Sequence, residues 1–460
     1  MSQTIEQVRG PLTAQLSEYI VGSDFDALPV DVVDCTKRVV LDTLGCMVLG
    51  STLPGGSVVA SYLRTTGVAG PATVIGASFK TSTAYAALVN GTASHSDELD
   101  ASHLSWGHPA SLSVAASLAV SETEGLGGRD FLNAVALSHD IGTRVFTAMG
   151  SRPAWLRTHH THSSAPLSLG AAAAAARLIG LSQVQVQHAL AIASMNVFSP
   201  AAFHDELRHM TKAMTHGQSA FAGVSGALLA REGLEANDRI LEAPHGLIDA
   251  WSTDETDLSK LTAGLGEDFS ITGTGFKYYS AGYPIHAPLH AALELVRDNA
   301  IAVDDIAALI VRMAPQSAEI VNDRAMPSIS LRDMVALGVV LGKLDYEDAH
   351  DEIALERADV QRLRSVIRIE PDEALGRHRP ERRCARVDIE TSTETYQSRE
   401  HIPPGHWELG GMPWDAVETK FRSLVDPRLG SEAAEQLVSV VHRLDDVSDL
   451  SELTELLVLS

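Results

Sequence analysis

The chain has 460 residues, of which 45% are hydrophobic and 20% charged, and a formal net charge of −24. That length exceeds what one ordinary hydrophobic core organises, so two domains are expected, and the acidic balance weighs against a nucleic-acid backbone or an anionic membrane surface as partner. A small anionic substrate stays compatible, because a few converging cations govern a pocket once charges beyond roughly 8–10 Å are screened.

No apolar run reaches bilayer-spanning length, and the first residues, MSQTIEQVRGPLTAQL, lack the charged and apolar regions of a secretory signal. Cys35, Cys46 and Cys384 show neither CxxC nor disulfide-framework spacing. The expectation is a cytoplasmic chain whose thiols are buried small hydrophobes.

Taken in chain order, residues up to about 267 read as helix. VDVVDCTKRVVLDTLGCMVLG, from Val30, has apolar residues at helical spacing and closes on Gly50. GRDFLNAVALSHDIGTRVFTAMG, from Gly128, does the same. LSLGAAAAAARLIGLS, from Leu167, is so rich in alanine that a central helix is expected, with Gly180 as its C-terminal cap. KAMTHGQSAFAGVSGALLAREG, from Lys212, repeats the small-residue theme and ends at Gly233. Near Phe269 the texture changes. ITGTGFKYYSAGYPIH reads as a loop or short strand leading into a helix, IAALIVRM and CARVDIETST read as strands, and SLRDMVALGVVLGKL reads as the helix between them. A smaller α+β domain over 268–405 is therefore expected. The return to amphipathic helix after PPGHWELGGMPW places 406–460 back with residues 1–267 in a mainly α domain.

The chemistry concentrates in 90–111, NGTASHSDELDASHLSWGHPAS. Polar residues of this kind often cap helices or fill solvated loops. Here the spacing of His95, Glu98 and Ser102 predicts one helical face, and Trp106 and His108-Pro109 can fold back over it. Carboxylate, hydroxyl and imidazole would then converge for acid–base work. A second cluster, His159, His160 and His162, precedes the alanine-rich helix, whose N-terminus suits an anion; a solvated loop is the plain alternative. Lys212 precedes a small-residue helix, and Lys277, flanked by Gly, Phe and Tyr, sits at the expected domain junction. No nucleotide, HExxH or CxxC signature appears, so no cofactor and no metal are expected.

Together these segments resemble the MmgE/PrpD family, which includes 2-methylcitrate dehydratase, cis-aconitate decarboxylase and iminodisuccinate epimerase. VVLDTLGCMVLG, VNGTASHSDELDASH followed by WGHPAS, AAAAAARLIGLS, TKAMTHGQSAFAGVSGALLAREG, GFKYYSAGYPIH and PWDAVETKF have counterparts in the same order along nearly the whole chain. The resemblance implies a helical domain built from both chain ends, an inserted α+β lid, a homodimer, and cofactor-free chemistry on a small di- or tricarboxylate. It implies catalytic roles for Glu98 (Asp97 if the register slips by one), His108 and Lys212, and for an imidazole near Thr161, from His160 or His162. Ser102 stands where the family usually has Thr, within D-A-S instead of D-D-T, and joins Lys277, Asp97 and His103 among the expected substrate contacts.

On this reading Lys212 and Lys277 hold substrate carboxylates, His108 moves the proton, Glu98 orients it or serves as second acid–base, and His160 or His162 acts from the other side. Dehydration of a 2-methylcitrate-type acid is the commonest family reaction and stands first, with decarboxylation and epimerisation close behind. Two readings from other classes stay open: a metal-dependent hydrolase or lyase using His95, Asp97, Asp100, His103 and His108, and a non-catalytic carboxylate-binding protein.

Overall fold

The computed structural model describes residues 10–196, 198–322, 324–377 and 379–458. The chain divides into two compact units, Met1–Thr274 with Val417–Ser460, and Gly275–Ala416. The architecture is mainly α. Among the described residues no single helix is long and apolar enough to cross a membrane.

The first unit is helical. Its elements in order are α1 (Leu12–Gly22), α2 (Val30–Thr52), α3 (Pro54–Thr66), α4 (Thr83–Ser94), α5 (Pro109–Glu124), α6 (Gly128–Met149), α7 (Arg152–His159), α8 (Ser164–Leu178), α9 (Gln183–Ser194) and α10 (Met210–Arg231). A two-strand antiparallel pair, β1 (Ala72–Thr73) and β2 (Lys80–Thr81), precedes α4. Helix α8 is buried on every side from 164 to 176, as its alanine run predicts. It packs against α6, α9 and α10, and α10 packs against α4. Gly180 follows α8 in the left-handed conformation, satisfying the expected cap.

Gly50 plays a different part from the one expected. Helix α2 runs two residues past it, and a Cβ at Gly50 would stand 1.8 Å from the Ala93 carbonyl oxygen, so glycine is there because α2 crosses α4 in backbone contact. Gly217 works the same way between α10 and α4. A Cβ there would lie 2.2 Å from the Leu88 carbonyl oxygen. This crossing sets the side chains of the two helices within reach of each other.

The second unit holds a four-stranded sheet, β3 (Ile306–Met313), β4 (Ile367–Pro371), β5 (Ala385–Thr391) and β6 (Thr395–Gln397), in the order β4-β3-β5-β6. Strand β3 pairs parallel with β4 and antiparallel with β5, with Leu309 opposite both Ile367 and Ile389. Helices α11 (His286–Asp298), α12 (Leu331–Leu341) and α13 (Ala358–Val366) join it around a core of Leu289, Leu309, Val311, Leu337, Leu363 and Val387. Strands β3 and β5 and helix α12 coincide with the runs read as strand and helix, whereas the short, mostly exposed β4 and β6 carry no such pattern. Two C-terminal helices follow, α14 (Trp414–Leu429) and α15 (Ser431–His442). The three cysteines are buried and unbridged.

Candidate active site

The crowded stretch is a turn, not the expected helical face. Helix α4 ends at Ser94, and the backbone N–H groups of His95, Ser96 and Glu98 donate to the carbonyls of Thr92, Ala93 and His95. Four residues past the end of α4, Glu98 adopts φ 57°, a left-handed conformation that keeps the chain from continuing as helix. His95 and Glu98 both lie in this turn but bond to different partners, His95 to Asp100 and Glu98 to Lys212 and His209. Pro109 then starts α5, and His108 is held in a non-helical conformation as the residue before it.

Two buried carboxylates organise the site. Glu98 accepts hydrogen bonds from Lys212 Nζ on one oxygen and His209 Nδ1 on the other. His209, just before α10, is itself left-handed at φ 45°. Each such residue costs about 1–2 kcal/mol, and the charge-assisted bond between them offsets that strain. Burial pushes the Glu98 carboxyl up. The Lys212 ammonium, the His209 hydrogen bond and the charges of His95 and His209 outweigh it and hold the group well below the ordinary carboxylate range.

Asp100 accepts from His95 Nδ1 at 2.7 Å and from the Ser111 hydroxyl, and its Oδ2 stands 3.4 Å from His108 Nδ1. The His108 Nδ1–H also donates to the Ala101 carbonyl at 3.1 Å. Burial again raises the carboxyl, but His95 and His108 outweigh it and keep Asp100 well below its usual value. With the Ala101 carbonyl and the Asp100 carboxylate both facing Nδ1 of His108, the proton of a neutral ring belongs on Nδ1 and the lone pair on Nε2.

Two more imidazoles complete the group. His216, one turn after Lys212 on α10, packs on His95 with ring centroids 4.0 Å apart, and its Nδ1 donates to the Lys212 carbonyl at 3.3 Å. His162 stands 5.3 Å from His216 and 5.2 Å from Phe203. Burial, then the neighbouring positive groups, hold both well below the usual histidine value, so both are neutral near pH 7. Nε2 of His95 and of His216 is buried with no protein hydrogen-bond partner among the described residues.

The choice between His160 and His162 resolves in space. His160 takes φ 55° at the end of α7 and is exposed, whereas His162 is buried against the cluster. Thr161, between them, accepts a hydrogen bond from Trp155 Nε1 at 3.0 Å. Asp97 is buried in the same turn, and Ser102 is buried at the start of the short strand Ser102–His103 that follows it. His103 is tied elsewhere: its Nε2 donates to the Ser270 carbonyl at 2.8 Å, its Nδ1 faces the Ser105 hydroxyl at 2.9 Å, and it lines a separate cavity of about 480 Å³ with Asp140 and Arg144. Burial lowers His103 to about 4, against a smaller upward pull from the Ser270 carbonyl, so it is neutral there. Lys277 is buried and belongs to the second unit.

Sequence reasoning passed over His209, His216 and Lys420 as members or supports of this site, and weighed Asp100 only as a metal ligand. The Lys212–His216 spacing of four on a helix was an available signal for His216. Lys420, on α14 within PWDAVETKF, donates to Asp42 of α2 at 2.6 Å and to the Leu99 carbonyl at 2.9 Å. It therefore pins the turn between Glu98 and Asp100 from the C-terminal helix. His95, Asp100 and His108 also bring three donor atoms within 4.8 Å and could hold a metal, though only by giving up the Nδ1 hydrogen bonds that orient the two rings.

Residues 14–258 match the MmgE/PrpD N-terminal domain, and residues 279–446 match the MmgE/PrpD C-terminal domain. The chain is 26% identical to a cis-aconitate decarboxylase of Homo sapiens, over 97% of this chain and 94% of that protein. It is 25% identical to a cis-aconitate decarboxylase of Aspergillus terreus, over 97% of this chain and 96% of the relative. A cis-aconitate decarboxylase-like protein, oryM of Aspergillus oryzae, is 28% identical over 66% of each chain. With both domains matched in order along most of its length, the chain belongs to the MmgE/PrpD family.

Proposed function

We propose that this chain is a lyase that breaks a bond at a carbon next to a carboxylate in a small di- or tricarboxylic acid, and that its reaction is decarboxylation of a cis-aconitate-like acid. The observation that carries the proposal is the His108 ring, whose Nδ1 proton is committed to Ala101 and Asp100 beside a buried Glu98–Lys212 pair. Decarboxylation precedes dehydration in this reading because relatives that match along 97% of the chain are named cis-aconitate decarboxylases. Dehydration of a 2-methylcitrate-type acid and epimerisation of an iminodisuccinate-type acid stand behind it.

The chemical difficulty is the negative charge left on carbon. In decarboxylation the C–C bond to the departing carboxylate breaks, carbon dioxide leaves, and the electron pair stays on carbon. A proton from His108 Nε2 then closes that carbon, and solvent restores the imidazolium. The Asp100 carboxylate against the far side of the ring stabilises the imidazolium that must form. The Lys212 ammonium and the Arg152 guanidinium place positive charge beside Glu98, where substrate carboxylates would gather. One preorganised donor of this kind is typically worth about 3–4 kcal/mol in the transition state. His162, neutral and with its Nδ1 accepting the Ser164 N–H at 3.3 Å, carries its proton on Nε2 and offers a substrate carboxylate a donor without adding fixed charge.

The test is proton and carbon NMR in heavy water with cis-aconitate, 2-methylcitrate and iminodisuccinate. The expected result is carbon dioxide release from a cis-aconitate-like acid with one deuterium on the new C–H bond, abolished in His108→Ala. Water loss without carbon dioxide would move the assignment to the dehydratase, and exchange without either would move it to the epimerase. Near-wild-type turnover by His108→Ala would overturn the role given to that ring.

A further inference from the structure

A second set of histidines and a carboxylate converges within the second unit. His290 and Glu294 lie one turn apart on α11 and share a face. His401 is fixed beside β5, where its backbone N–H and carbonyl pair with those of Ala385 at 2.9 Å in both directions. Nε2 of His290 stands 3.5 Å from Glu294 Oε1, and Nε2 of His401 stands 3.4 Å from Glu294 Oε2. These separations are long for hydrogen bonds. They match donors around a tetrahedral ion, since ligand atoms 2.0–2.1 Å from zinc stand about 3.3 Å from one another. With one donor atom taken from each residue, the three lie within 4.8 Å of one another.

The surroundings fit the same reading. The Tyr279 hydroxyl lies 3.0 Å from His290 Nδ1. With Nδ1–H donating to the phenol oxygen, Nε2 keeps its lone pair toward Glu294, which is how a supporting group orients a metal-binding imidazole. His290 and Glu294 line a cavity of about 610 Å³ together with Tyr278, Tyr279 and Leu344, so an ion has an approach and room for a water ligand. We propose that His290, Glu294 and His401 form a binding site for one divalent ion of the zinc class, with its fourth position open to this cavity. Two imidazoles and one carboxylate select zinc, cobalt or nickel over calcium or magnesium, which take all-oxygen sets. None of these residues belongs to the His108 cluster, so the site stands or falls independently of the proposed reaction.

The experiment is a titration of the metal-stripped, tag-free full chain with Co²⁺, read by its visible absorption, followed by displacement with Zn²⁺. One equivalent should bind with the bands of a four-coordinate site. His401→Gln and Glu294→Gln should each weaken binding at least about tenfold, and Tyr279→Phe by about 10–100-fold, the range for a group that orients a ligand. His108→Gln should bind as the wild type does. His290→Gln, on a partly exposed helix face, serves if His401→Gln does not fold. The proposal is overturned if the wild type binds no stoichiometric Co²⁺, if His290→Gln and His401→Gln fold and bind as the wild type, or if binding is lost in His108→Gln instead.

Discussion

The two histidine–carboxylate groups of this molecule are wired through opposite ring nitrogens. In the first unit His95 and His108 turn Nδ1 toward Asp100, while in the second unit His290 and His401 turn Nε2 toward Glu294. The first arrangement anchors each ring at the nitrogen nearer the backbone and leaves the far nitrogen for proton transfer. The second points the far nitrogens at one another around a carboxylate, which is the geometry of a ligand set. Burial separates them further. The Asp100 side chain is 0% exposed, whereas that of Glu294 is 29% exposed beside a cavity. The same residue types thus serve two chemistries, decided by which atom the fold makes inaccessible.

The comparison breaks most readily at His108. His108→Gln should lower kcat by about 10²–10⁴-fold on the true substrate, the range for removing a positioned acid–base group, with little change in thermal stability. The next largest effect should come from Lys212→Met, which leaves Glu98 buried without its ammonium. The expected loss is about 3–5 kcal/mol of folding stability, measurable by urea unfolding, and Glu98→Gln in the same chain should restore most of it. Lys420→Met tests whether the turn needs its tether. Activity should fall by about 10–100-fold through misplacement of Glu98 and Asp100, with Lys420→Arg restoring part of the rate while an unrelated core substitution of equal stability cost would not lower it.

The last effect concerns pH and is spread over a range of conditions. His162 and His216 are held neutral, well below the ordinary histidine value, while the unfolded chain protonates them near 6.5. Their contribution to stability is complete above pH 6.5 and is lost as pH falls below it toward the depressed folded values. Each group should contribute a slope of up to about 1.4 kcal/mol per pH unit there. Glu98 and Asp100, also depressed, add loss only at lower pH, as the solution falls through the ordinary carboxylate range near 4 toward their folded values. Thermal unfolding between pH 7 and 5 checks this, and replacing both histidines with Gln should flatten the curve.

Much of the fold was legible in the pattern of residues. The strand over Ile306–Met313 and the helix over Leu331–Leu341 coincide with the apolar runs that predicted them. Gly180 marked a real helix end, but Gly50 marked a crossing, and local sequence does not distinguish an end from a close contact. In the site, His108, Glu98 and Lys212 stood out by motif, and the structure brings them together with His162. His209 and His216 did not stand out, because each acquires its partner from a segment more than a hundred residues away.

By itself the sequence determined the helical character of the chain, two of the strands of the smaller unit, the clustering of titratable groups in 90–111 and the family to which those motifs belong. Periodicity and composition suffice for these, since they reflect local burial and local turn chemistry. The tertiary structure alone decided that His162 and not His160 joins the cluster, that Glu98 is ionised against Lys212 and His209, and which nitrogen of each imidazole is committed. Those outcomes depend on left-handed residues at Glu98, His160 and His209 and on a backbone contact at Gly217, and such long-range geometry leaves no periodic trace in a single chain.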